Sequence, residues 1–186
     1  MTKPTRIIIL LTALLAGTYI QQAKAQTLAA KTSLTMLATL TPNVELSYKV
    51  ADHVTLHLPF LYNPWILKEN SRFQQVTVQP GARYWTKRVY MGYFISSAAL
   101  ISRFHVGGWI DKKYRYDGKY FGLGIGGGYA WVLSNRLNLE AELMVGAVYA
   151  DYRKCWWQRA SRVFEEPKGL RIIPAKVDIS LVYFIK

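Results

Sequence analysis

Six charged residues with the chemistry to build a site are spread along the chain and share one parity. Glu45, Arg83, Glu140, Glu142, Lys176 and Asp178 lie in stretches where apolar residues alternate with small or polar ones. A period of two sends successive side chains to opposite faces of a strand, and all six fall opposite the large apolar residues. Glu140 and Glu142, two residues apart, present their carboxylates on one face. Paired carboxylates are the acid and base of glycoside hydrolysis, yet any alternating strand places i and i+2 together. Charges of both signs enclosed in a narrow interior imply a hydrogen-bonded, charge-paired plug. A ligand or proton path through the same interior is the other reading.

Other reactive groups form weaker patterns. His53, His57 and His105 are the only histidines. The first two share an inner face if their strand begins that early, but no cysteine lies near them, and no metal site is predicted. Asp52 and Ser47 set no nucleophile against a base. Gly122 to Gly128 superficially matches a phosphate loop, which has to turn into a helix. Here the glycines alternate within a strand and relieve crowding. No catalytic residue and no cofactor is assigned. Cys155 is the single cysteine, either a free thiol or one that pairs with another chain.

The elements that position these residues are strands. Tyr120 to Tyr149 reads as two long antiparallel strands joined at Ser134-Asn135-Arg136. Phe121, Leu123, Ile125, Leu139, Leu143 and Val145 lie on one face, with glycines, Asn138, Glu140 and Glu142 on the other. The same pattern covers Ala29 to Thr39, Val44 to Val50, Val54 to Phe60, Gln75 to Trp85, Tyr90 to Ser102 and Pro174 to Ile185, eight strands in all. Short turns follow the second, fourth and sixth. Long connections, Tyr62 to Gln74, Arg103 to Lys119 and Ala150 to Ile173, follow the third, fifth and seventh. That rhythm, with apolar residues outside, predicts an eight-stranded antiparallel transmembrane β-barrel of the outer-membrane type, both termini periplasmic.

The start of the chain agrees with export. Lys3 and Arg6 precede an apolar run, Ile7 to Ile20, and Ala23-Lys24-Ala25 has the small-x-small form of a cleavage site. A signal peptide over 1–25 is predicted, leaving 26–186 as one barrel domain. Losing Lys3, Arg6 and Lys24 lowers the net charge from +13 to +10. In an exported protein such charge suits anionic lipid headgroups, lipopolysaccharide or an acidic partner rather than nucleic acid. Tyrosine and glycine number 13 each, with six tryptophans, a composition compatible with aromatic girdles. In the long connections Trp65, Trp109, Trp156 and Trp157 fit either interfacial anchors or a recognition surface. Lys112, Lys113, Arg115, Arg159 and Arg162 fit contacts with lipopolysaccharide phosphates.

Four segments carry a resemblance. YNPW at Tyr62 to Trp65, QPGARYW at Gln79 to Trp85, YRYDGKYFGLGIGGGYAWVLSNRLNLEAEL at Tyr114 to Leu143 and DISLVYFIK at Asp178 to Lys186 resemble the DUF3575 family, described as outer-membrane barrel proteins of Bacteroidetes. The resemblance spans roughly Ala29 to Lys186. It implies a barrel in the outer membrane, a link to fimbriae or other surface proteins, and no assigned catalytic residue. Family members often have Glu at the position of Gly81 and two cysteines in the last loop, where this chain has only Cys155. The resulting expectation is a non-enzymatic outer-membrane barrel serving envelope structure or surface attachment through its extracellular loops. The alternatives are a lipid- or lipopolysaccharide-modifying barrel enzyme and a soluble periplasmic barrel holding a small apolar ligand.

Overall fold

The computed structural model describes residues 27–66, 72–107, 114–156, 163–165 and 167–185. The expected leader, 1–25, lies outside the described residues. Ten strands and one short helix follow in order: β1 (Leu28–Ser33), α1 (Leu34–Ala38), β2 (Asn43–Ala51), β3 (Val54–Ile66), β4 (Arg72–Val78), β5 (Gly81–Trp85), β6 (Gly92–Gly107), β7 (Tyr114–Ser134), β8 (Leu137–Trp156), β9 (Val163–Glu165) and β10 (Lys168–Phe184). All ten belong to one antiparallel sheet. Between β3 and β6, β4 and β5 occupy successive stretches of the same line. β10 pairs with β8 on one side and β1 on the other, and β1 continues to β2. Among the described residues the long strands are thus hydrogen-bonded on both sides, which leaves no extended edge of theirs open.

The expected eight-stranded transmembrane barrel is corrected to this ten-stranded all-β sheet. Local chemistry accounts for the differences. Ala29 to Thr39 is only half strand, because Ser33 caps a helical turn: its Oγ accepts from the Met36 N–H at 3.1 Å, as an N-cap side chain does. Pro80, with no N–H to donate, splits Gln75 to Trp85 into β4 and β5. Its carbonyl still accepts from the Ala99 N–H at 2.8 Å. Tyr90, expected in a strand, has φ 66° and precedes one.

The long connections shrink as well. β3 runs on to Ile66, β6 to Gly107 and β8 to Trp156, while β7 begins at Tyr114 and β10 at Lys168. The expected outer-membrane location with periplasmic termini is corrected accordingly: among the described residues the long outside loops it requires are largely strand, and the charged side chains form a buried salt-bridge network. No helix among the described residues is long and apolar enough to cross a membrane.

The enclosed face of the sheet is layered. Near the β7–β8 turn, Trp85, Tyr90, Phe94, Ala130, Val182 and Phe184 form an apolar cluster. Ring centroids are 4.7 Å apart for Trp85–Phe94 and 5.0 Å for Tyr90–Phe184. The polar tips are satisfied: Trp85 Nε1 donates to Thr55 Oγ1 at 3.0 Å and Tyr90 OH to the Ser47 carbonyl at 3.2 Å. A second apolar cluster holds Ala98, Leu100, Met144 and Val148. Charged side chains fill another part of the enclosed face.

Candidate functional site

Lys31 and Glu45 are register partners on β1 and β2. Glu142 on β8 lies opposite Asp178 on β10, a like-charged pair that is unfavourable alone. Three cations resolve it. Lys31 Nζ lies 2.9 Å from Glu140, 3.5 Å from Glu142, 3.7 Å from Asp178 and 3.9 Å from Glu45. Arg83 reaches across from β5, with Nη1 2.6 Å from Glu45 and Nη2 3.0 Å from Glu142. Lys176 Nζ lies 2.9 Å from Glu142 and 3.2 Å from Glu45. The Arg83 guanidinium also sits 5.4 Å from the Phe94 ring centroid, which joins the ions to the aromatic cluster.

The electrostatics follow from this enclosure. Burial pushes the Glu45 carboxyl upward, but Arg83, Lys176 and Lys31 outweigh it and hold the group well below the usual carboxylate range. Glu142 is held down by the same three cations against the same penalty. For Lys31, burial and then Arg83 act downward, and Glu140, Glu45 and Glu142 raise it overall. Burial, followed by the nearby Arg83, lowers the His57 imidazole to about 3, so it is neutral inside the sheet.

The structure therefore brings Glu45, Arg83, Glu140, Glu142, Lys176 and Asp178 into one cluster. Lys31 is the member that sequence reading leaves out. Its signal was parity with Ser33 in the weakly alternating first strand, a pattern too short to single out one lysine. Among the loop candidates, Trp65 lies on β3 and its indole N–H donates to the Leu40 carbonyl. Arg115 lies on β7, in register with Gly107 and Cys155. Trp156 ends β8 opposite Tyr114. Trp109, Lys112, Lys113, Trp157, Arg159 and Arg162 lie outside the described residues. The expectation of surface attachment through extracellular loops is corrected: the chain is organised around a buried ion-pair and aromatic network, and much of the expected loop is strand.

The opposite face of the sheet is largely apolar and, among the described residues, uncovered. Leu123 is 71% exposed, Ile125 67%, Leu143 64% and Ile172 80%. These residues continue across strands: Leu123–Ala147–Ile172, Tyr129–Ala141–Ile179 and Trp131–Leu139–Leu181 are three of the rows over β7, β8 and β10. The enclosed face holds two apolar clusters beside the charge cluster, and this buried network accords better with the alternative of a small domain holding an apolar ligand than with the membrane barrel. The surface chemically suited to apolar matter is the outer one.

A family model described as a protein of unknown function (DUF3575) matches residues 8–185. No curated protein and no solved structure matches the chain.

Proposed function

The chain belongs to the DUF3575 family of proteins of unknown function, and from that premise we propose that it binds lipid, its uncovered face receiving hydrocarbon chains. The observation that carries this reading is the inverted polarity of the sheet. Lys31, Glu45, Arg83, Glu140, Glu142 and Asp178 are each no more than 4% exposed, while Leu123, Ile125 and Ile172 exceed 60%. Monomeric water-soluble proteins rarely leave apolar patches beyond a few hundred Å² uncovered. Rows of large apolar side chains over three adjoining strands call for an apolar partner. The internal ion pairs supply what such a surface cannot, an enclosed set of contacts holding the strands in register.

The test is detergent removal in the presence of phosphatidylcholine vesicles, followed by flotation through a density step. The protein is expected to rise with the vesicles. Recovery as a soluble monomer in the dense layer would overturn the reading.

A further inference from the structure

We propose that the outer face carries a site for the phosphate headgroup of an anionic lipid at Arg103 and Lys119, with that lipid's chain lying over Ile101, Phe121, Ala99 and Leu123. This rests on the lipid-binding reading and adds the charge, position and direction of the lipid.

Arg103 on β6 and Lys119 on β7 are register partners, so two cations stand side by side on one face. Both are exposed. Lys119 is also in register with Asp151 on β8, but that carboxylate lies 3.7 Å from Lys168, and Asp117 lies 2.9 Å from His105. Neither Arg103 nor Lys119 has an ion pair within 4.0 Å among the described residues. Like charges directly opposite each other on a sheet repel. An anion between them reverses the sign of that interaction, and a guanidinium fork beside an ammonium suits the several oxygens of a phosphate.

What lies next to the cations selects a lipid. Two residues along, roughly 7 Å by strand rise, the same two strands present the pair Ile101–Phe121, and then Ala99–Leu123. A hollow of about 590 Å³ is lined by Tyr62, Val76, Ile101, Arg103, Lys119 and Phe121. Beyond it, a second hollow of about 940 Å³ is lined by Ala82, Ser97 and Ala99 and by the larger Leu58, Leu123 and Ile125. The small side chains leave a low floor between taller walls. A headgroup at Arg103 and Lys119 therefore aims its chain along β6 and β7, from the first hollow toward the second.

The protein in neutral detergent is equilibrated with equal amounts of phosphatidylcholine and phosphatidylglycerol, and the retained lipids are counted by native mass spectrometry. The wild-type chain is expected to enrich the anionic lipid several-fold. The double variant Arg103→Gln/Lys119→Gln is expected to lose that enrichment while retaining lipid, and Arg88→Gln, altering an exposed cation at the other end, to keep it. Retention of both lipids without preference in the wild type, or unchanged enrichment in the double variant, overturns the headgroup site alone. Inorganic phosphate binding that depends on Arg103 and Lys119, with no enrichment of the anionic lipid in the wild type, overturns the assignment to a lipid in favour of a free anion. If the wild type retains neither lipid, both this proposal and the broader lipid-binding reading fall.

Discussion

At the residue scale, Arg83 is the side chain with the most to lose. It is 1% exposed, bridges Glu45 and Glu142, and lies against Phe94. Replacing it by Met keeps much of the volume but strands two buried carboxylates, a loss of about 3–5 kcal/mol when one partner of a buried pair is removed. Denaturant unfolding in neutral detergent should show that loss, and Arg83→Met combined with Glu142→Gln should recover part of it. His57 governs a separate pH effect. The group binds a proton near 6.5 in the unfolded chain and only near 3 when folded. The unfolded state thus holds more protons across that interval, and stability falls as pH drops through it. Glu45 and Glu142, with depressed folded values, lose their contribution only as pH falls below their ordinary 4.5. Between pH 6.5 and 4.5 the slope belongs mainly to His57, with a smaller part from the less buried His105, whose value is also lowered. His57→Asn should flatten unfolding stability over that interval, and an unchanged slope would remove His57 as its source.

At the element scale, the glycines of β7 explain how long strands enclose such bulky contents. A Cβ on Gly128 would lie 3.0 Å from Phe94 Cε1 and closer still to Cζ and to the Ala141 carbonyl oxygen. Gly128→Ala should therefore displace the ring that lies beside Arg83, costing about 1–3 kcal/mol by overpacking. Unfolding midpoints of this variant and of Gly127→Ala, whose Cβ has one neighbour at 3.3 Å, should separate the two positions. Element limits were the least legible part of the sequence. Alternation in Tyr120 to Tyr149 was long enough to read, whereas β7 continues back through Tyr114 to Lys119 with charged and aromatic residues that resemble a loop. Arg115 to Lys119 pair with both β6 and β8, and Tyr114 with β8, and ladder hydrogen bonding outweighs their weak local preference. The Ser33 cap was missed for the converse reason, since one side-chain acceptor redirects the backbone without altering the composition around it.

At the scale of the whole molecule, ion pairs and apolar clusters share the enclosed face while large apolar side chains stand exposed on the other, and two electrostatic systems are kept apart. Enclosed pairs around Arg83 are screened little by salt. Exposed cations such as Arg103 and Lys119 act over a Debye length of about 8 Å at physiological ionic strength. A charge placed in the apolar rows should disturb lipid association without touching the interior. Leu143→Arg, at a position 64% exposed, should lower recovery in floated phosphatidylcholine vesicles while leaving denaturant unfolding in detergent near that of the wild type. Undiminished flotation would place the lipid contact away from β8.

Read alone, the sequence determined face parity: which residues lie together on one side of each strand follows from a period of two and needs no knowledge of neighbours. That is why Glu45, Arg83, Glu140, Glu142, Lys176 and Asp178 could be grouped although they are far apart in the chain. Tertiary structure alone decided which strands adjoin, how far each extends and which charges touch. Lys31 entering the cluster, Pro80 dividing one strand into two, and Arg103 standing beside Lys119 each depend on register between segments distant in sequence. Register follows from the hydrophobic patterns and turn geometries of both paired segments together, so one segment's pattern does not decide it.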